Sequence, residues 1–77
     1  RESIAAQPDF VDAYNDLAWL YAEEEKNLNE ALELVDRALM VAPQHPAYLD
    51  TKAEVLEKMG RFDEARSIRK RLERKLP

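Results

Sequence analysis

Residues 14–21 have the sequence Tyr-Asn-Asp-Leu-Ala-Trp-Leu-Tyr, and the spacing of their apolar side chains is the strongest indication of the fold. Together with Phe10 they place apolar side chains at i, i+4, i+7, i+8 and i+11, which is one face of an α-helix. The residues on that face are Phe10, Tyr14, Leu17, Ala18 and Tyr21. Asp9 directly precedes the run and predicts an N-cap for this helix. No segment alternates with a period of two, so the sequence predicts an all-α protein.

The same pattern returns 35 residues later, and repeats of this length are typical of stacked helical units. The equivalent pairs are Tyr14 and Leu49, Ala18 and Ala53, Leu20 and Val55, and Tyr21 and Leu56. Further along, the better shift is 34, which places Ala31 on Ala65 and Leu34 on Ile68. Pro8, Pro43 and Pro77 follow the same two spacings. The change of shift predicts a one-residue insertion in the Glu23–Asn27 turn.

The sequence predicts two helices in each unit, and Pro, Gly and Asp residues indicate where the helices begin and end. The second helix of the first unit carries Ala31, Leu34, Val35, Ala38, Leu39 and Ala42 on one face and stops at Pro43. In the second unit, Pro46 suits a first helical turn, and Gly60 suits the left-handed residue that ends a helix. Asp63 predicts a cap for the last helix, whose inward residues are Ala65, Ile68, Leu72 and Leu76.

These residues together resemble the tetratricopeptide repeat family. The resemblance rests on Tyr14-x-x-Leu17-Ala18-x-x-Tyr21, Ala31, Ala38 and Pro43, and on Gly60–Ala65 with Pro77. It implies tandem helix-turn-helix repeats in a short right-handed α-solenoid. Residues 1–8 are then the tail of a preceding repeat, residues 9–45 a first hairpin, and residues 46–77 a second hairpin acting as the C-terminal cap. Leu49, Lys52 and Leu72 depart from the residue types usual in the family.

The composition argues against catalytic and cofactor chemistry. The 77 residues include no cysteine, one histidine and one glycine, so disulfides, thiolate chemistry and a Gly-rich phosphate loop are excluded. We expect no enzyme activity, no cofactor and no metal. Residues 1–60 carry five Lys/Arg against 13 Asp/Glu, and residues 61–77 carry seven against three. This acidic body makes nucleic-acid or membrane binding by the whole domain unexpected.

The resemblance implies that the first helix of each unit lines a concave face that holds a peptide or helix. The residues predicted for this partner-binding groove are Asp12, Asn15, Trp19, Glu23, His45, Asp50, Glu54, Glu57 and Lys58. Five acids stand against one lysine, so we expect a protein segment in which Lys or Arg flanks an apolar anchor. Trp19 is the predicted hot spot, although packing against an upstream repeat is an equal alternative.

Two further surfaces suggest alternative functions. Ala13, Leu17 and Leu20 would face an upstream repeat and predict self-association, as a homodimer through this N-terminal side. In the last helix, Arg66, Arg69 and Glu73 stand where the first unit has Leu32, Val35 and Leu39, which indicates a polar end of the array. The basic last helix could also act as a nucleic-acid or membrane tether.

Overall fold

The computed structural model describes the backbone of residues 3–75 and the side chains of residues 11–73. Four helices follow one another, and no strand is present in this part of the chain. They are α1 Ser3–Glu24, α2 Leu28–Val41, α3 Pro46–Lys58 and α4 Phe62–Lys75. The all-α repeat fold predicted from the sequence is confirmed. Leu76 and Pro77, which the sequence analysis also used, lie outside the described residues.

Helix α1 begins earlier than the sequence predicts. It runs without a break from Ser3 through Pro8, so Asp9 lies inside the helix and the predicted N-cap at Asp9 is wrong. The missing N–H of Pro8 removes only the bond to the carbonyl four residues earlier, near the end of the helix. Ala5 and Ala6, which favour helix, lie in the same short segment.

The helices form two hairpins that share a continuous interior. Helix α1 packs on α2, α3 packs on α4, and α3 also packs on both helices of the first hairpin. One buried cluster contains Val11, Ala18, Ala22, Ala31, Val35, Ala38, Tyr48 and Val55. A second contains Leu49, Ala53, Leu56, Ala65 and Ile68. Leu32 and Leu39 of α2 pack against both clusters and so join the two hairpins.

The first helix of each hairpin ends with the same hydrogen-bond pattern, although only the second hairpin has a glycine there. The amide of Lys26 donates to the carbonyl of Tyr21, and the amide of Arg61 donates to that of Leu56, at 3.1 and 2.8 Å. Bonds of this span mark a helix end with a left-handed residue. That residue is Gly60 in the second turn, as predicted, and Glu25 in the first, with φ of 84° and 55°.

The extra residue of the first turn lies between Lys26 and Leu28. Asn27 occupies this position with φ 52° and precedes α2 directly. The second turn passes from Arg61 to Phe62 without a counterpart. The insertion therefore falls within the segment where the change of repeat spacing predicted it.

Helix starts in the second hairpin agree only in part with the prediction. Pro46 occupies the first turn of α3, as expected. Helix α4 begins at Phe62, so Asp63 is inside the first turn and is not the N-cap. A carboxylate there still interacts favourably with the helix dipole, and Arg61 forms a two-bond pair with Glu64 at 2.8 and 2.9 Å.

Candidate functional site

A groove runs between α1 and α3, which lie side by side. We call it the α1–α3 groove and define it by exposed or half-buried residues of both helices, together with Thr51. These residues are Asp12, Asn15, Asp16, Trp19, Leu20 and Glu23 on α1, and Ala47, Asp50, Thr51 and Glu54 on α3. Because both helices are fixed by the shared core, the groove is preformed.

One end of the groove is closed by a hydrogen bond between the helices. The hydroxyl of Tyr48 donates to Oδ1 of Asp12 at 2.6 Å. Burial raises the pKa of Tyr48 to about 12, and the Asp12 carboxylate adds to the shift. The ring of His45 stacks on the Tyr48 ring, with centroids 3.9 Å apart. His45, predicted as a groove residue, is therefore exposed beside this end and contacts it through Tyr48.

The middle of the groove contains a cleft of about 540 Å³. Its lining residues are Asn15, Asp16, Trp19, Leu20, Ala47, Asp50 and Thr51. Trp19 is 48% exposed and Leu20 45% exposed, so the cleft offers apolar surface to solvent. Oδ1 of Asn15 is buried and has no hydrogen-bond partner among the described residues. This arrangement suits an apolar side chain of a partner that also offers a donor.

Two carboxylates meet further along the groove. The pKa of Glu54 on α3 is raised, first by burial and then by the charge of Glu23 on α1. The Lys58 charge acts against this shift. A cation placed between the two acids would relieve their repulsion.

A basic residue of α4 neutralises much of the acidic surface that the sequence assigns to the groove. Arg69 donates to Glu57 at 2.9 Å and to Asp50 at 2.8 Å, and its guanidinium lies 3.7 Å from Glu54. Its hydrogen bond lowers the pKa of Glu57. Asp50 and Glu57 therefore point towards the α4 side, and the groove is less acidic than the sequence indicates.

The contacts of Arg69 with the carboxylates of α3 were not predicted from the sequence. The available signal was the spacing of Asp50, Glu54 and Glu57 at i, i+4 and i+7, which places the three acids on one side of α3. Glu57 and Arg69 are the repeat counterparts of Ala22 and Val35, which are both fully buried in the first core cluster. The repeat therefore indicates that Arg69 of α4 lies beside the acids of α3.

One other residue predicted for the groove lies elsewhere. Lys58, predicted as a groove residue, has its ammonium 3.6 Å from the Glu25 carboxylate in the first turn. The predicted groove residues that remain together are therefore Asp12, Asn15, Trp19, Glu23 and Glu54, with Asp50 at the edge.

The basic last helix is only partly free for other contacts. Arg66, Lys70 and Arg71 are exposed, whereas Arg69 is held by α3. The side chains of Arg74 and Lys75 lie outside the described residues.

The described residues contain neither a candidate metal site nor a candidate membrane span. Within residues 11–73 no group of three His, Cys, Asp or Glu side chains is placed to hold a metal ion. Among the described helices, none combines the length and the apolar character needed to cross a membrane.

The sequence matches the family model described as tetratricopeptide repeat twice, over residues 1–55 and 22–77. No curated protein and no solved structure gives a significant match. Each family match covers more than half of the chain, and the two are offset along it as tandem repeats would be. The chain therefore belongs to the tetratricopeptide repeat family.

Proposed function

We propose that this chain is a protein-interaction module that binds an extended segment or a helix of a partner protein in the α1–α3 groove. Tetratricopeptide repeats generally bind proteins or peptides and are typically not enzymes. The groove provides what such a segment needs: a preformed cleft, exposed apolar surface and polar groups along its sides.

The observation that carries this proposal is the exposure of Trp19 at the cleft. Tryptophan is enriched among residues that dominate binding energy, since its large surface is ordered at low entropic cost. Trp19 is 48% exposed, although the residue before it, Ala18, is fully buried in the core. An apolar side chain seated against Trp19 and Leu20 would remove this surface from water.

The charge of the groove favours a basic partner. The Glu23 charge acts on Glu54 across the groove, and Asp16 lines the cleft. A lysine or arginine near the apolar anchor would face these carboxylates, which increases the association rate and disfavours acidic segments. The proposed partner therefore carries Lys or Arg beside an apolar or aromatic residue.

The test uses a short labelled peptide with a central leucine flanked by lysines. Its affinity is measured by fluorescence anisotropy against the native chain and Trp19→Ala. We expect Trp19→Ala to weaken binding by about 2 kcal/mol, or roughly 30-fold. The matched control is Phe62→Ala, since Phe62 is another exposed aromatic residue but lies at the start of α4. This control should bind normally.

The proposal fails if Trp19→Ala and Phe62→Ala, both folded by circular dichroism, bind the peptide as the native chain does. Two peptide variants test the apolar anchor and the basic residues separately. Replacing the central leucine by alanine should abolish the contribution of the cleft, and replacing the lysines by glutamates should weaken binding most at low salt.

A tether through the last helix has less support. The Arg69 guanidinium is bound by α3, and a phosphate would have to compete with those carboxylates. Self-association of the chain would use Ala13, Leu17 and Leu20 of α1, and Leu20 also lines the cleft.

A further inference from the structure

The carboxylates of the α1–α3 groove differ in the partner that the molecule itself gives them. Asp12 accepts the hydrogen bond of Tyr48, which stays neutral near neutral pH because its pKa is about 12. The partner of Asp50 is instead a cation, since Nη1 of Arg69 donates to its Oδ1 at 2.8 Å. The same guanidinium lies 3.7 Å from Glu54. The fold thus places a positive charge of its own beside the α3 side of the groove.

The orientation of Arg69 is set by a residue outside the groove. Its Nε donates to Oε2 of Glu57 at 2.9 Å, and its Nη2 donates to Oε1 of the same carboxylate at 3.3 Å. Two bonds of this kind hold a planar guanidinium in one orientation. The remaining nitrogen, Nη1, then reaches Asp50. Glu57 therefore directs the cation towards the edge of the groove.

Asp50 is accessible to a partner as well as to Arg69. It lines the cleft together with Trp19 and Leu20, and its side chain is 60% exposed. A basic residue next to an apolar anchor in the cleft would lie within reach of Asp50. Because Arg69 already donates to this carboxylate, the incoming cation has to compete with the guanidinium and is repelled by it.

The internal repeat shows that packing alone does not require a cation at this position. Glu57 and Arg69 are the repeat counterparts of Ala22 and Val35, which are fully buried. The first hairpin thus has an apolar contact where the second has an ion pair. Apolar residues can replace an ion pair without loss of stability. The charge of Arg69 is therefore open to a role in binding.

We propose that Arg69 is a specificity-determining residue of the groove, because it competes with the basic residue of a partner for Asp50 and Glu54. It lowers the affinity for basic segments and directs the cation of the partner towards Asp16 and Glu23 on α1. This inference rests on the proposed function, since it concerns the same groove.

The test compares the native chain with Arg69→Met, using the lysine-flanked leucine peptide and fluorescence anisotropy. Methionine retains an apolar stem without the charge. At low salt we expect Arg69→Met to bind the peptide about threefold to fivefold more tightly, since Asp50 is then available to a lysine. The gain should shrink at high salt, because partly exposed charges are screened. Unchanged or weaker binding would overturn the proposal.

Two controls separate competition for Asp50 from a general change in net charge. Lys70→Met removes the same charge from the next and exposed position of α4, and should change the affinity by less than about twofold. A peptide with glutamines in place of the lysines should bind the native chain and Arg69→Met equally. An equal gain in Lys70→Met, or a gain for the glutamine peptide, would contradict competition between cations.

A double-mutant cycle identifies the carboxylate for which the two cations compete. Asp50→Asn should weaken binding of the lysine peptide more in the Arg69→Met chain than in the native chain, because Arg69 no longer holds Asp50 there. Equal losses in the two chains would overturn the role of Asp50. If Arg69→Met loses helical content by circular dichroism, Arg69→Gln takes its place, since a glutamine amide can still donate to Glu57.

Trp19→Ala separates this inference from the proposed function. Binding of the peptide in the groove should weaken on Trp19→Ala in the native chain and in Arg69→Met. If binding depends on Trp19 and is equally tight in the two chains, the role of Arg69 is wrong and the groove remains the binding site. If neither chain shows binding that depends on Trp19, the proposed function fails and this inference fails with it.

Discussion

At the scale of single residues, Glu25 holds the least favourable backbone conformation of the first turn. It takes a left-handed φ of 55°, whereas its counterpart Gly60 takes 84°. Left-handed backbone costs a residue with a Cβ roughly 1–2 kcal/mol, and glycine avoids most of this cost. The turn geometry is imposed by the hairpin, since the hydrogen bond from Lys26 to Tyr21 matches that from Arg61 to Leu56.

Glu25→Gly should therefore stabilise the protein, by about 1 kcal/mol in urea unfolding. The variant loses the contact with Lys58, but exposed pairs at 3.6 Å contribute little. Glu24→Gly is the matched control, because Glu24 is the last residue of α1. A glycine there should be neutral or destabilising. If Glu25→Gly destabilises as much as Glu24→Gly, the turn is not strained at Glu25.

At the scale of elements, α4 is attached to α3 by an ionic cluster as well as by the apolar core. Arg69 lies among Asp50, Glu54 and Glu57, and its side chain is 37% exposed. Removal of the cation leaves three neighbouring carboxylates on one side of α3, where they repel one another. Because the cluster is partly solvated, its net contribution is modest.

We expect Arg69→Met to lower the free energy of unfolding by about 1 kcal/mol near neutral pH. The pKa of Glu57 is lowered by Arg69, so this stabilisation is present above the ordinary pKa of 4.5 and is lost as the pH falls.

The measurement is urea unfolding of the native chain and of Arg69→Met, near neutral pH and again in acid. The difference between them should shrink in acid and at high salt. Lys70→Met, at the next and exposed position of α4, is the control and should change stability by less than half a kcal/mol. An equal loss in both variants, or a loss that does not change with pH, would contradict the role of the cluster.

The helices themselves could be predicted from the sequence because their signals are local. Apolar periodicity gave the four helices, and Pro46 and Gly60 were correctly assigned to helix ends. The start of α1 was not predictable in this way, since Pro8 reads as a boundary although α1 continues through it. A proline in the second turn of a helix loses one backbone hydrogen bond and crowds the carbonyl four residues earlier, but the same segment contains the good helix formers Ala5 and Ala6.

The groove was harder to predict than the fold because charge partners come from other helices. Helical spacing predicts that Asn15, Trp19 and Glu23 lie on one side of α1. It could not show that Arg69, from α4, forms hydrogen bonds with Asp50 and Glu57. Nor could it show that the hydroxyl of Tyr48 binds Asp12, since these contacts depend on how α3 packs on α1 and α4.

At the scale of the whole molecule, the two ends and the groove have different chemistry. The α4 end is charged, with Arg69 bound by carboxylates, whereas Leu17 and Leu20 of α1 expose aliphatic surface. The groove between α1 and α3 combines the exposed Trp19 with the carboxylates of Asp16, Glu23 and Glu54. A basic segment with an apolar anchor is the partner that we propose for this groove.

Amide chemical-shift mapping tests binding in the α1–α3 groove, since it locates a bound peptide residue by residue. The isotope-labelled chain is titrated with the lysine-flanked leucine peptide. Shifts should be largest at Asn15, Trp19 and Glu23 on α1 and at Thr51 and Glu54 on α3, and small at the exposed apolar residues outside the groove, Met40, Val41 and Phe62. Saturable shifts centred on those outer residues or on α4, with α1 and α3 unchanged, would contradict binding in the α1–α3 groove.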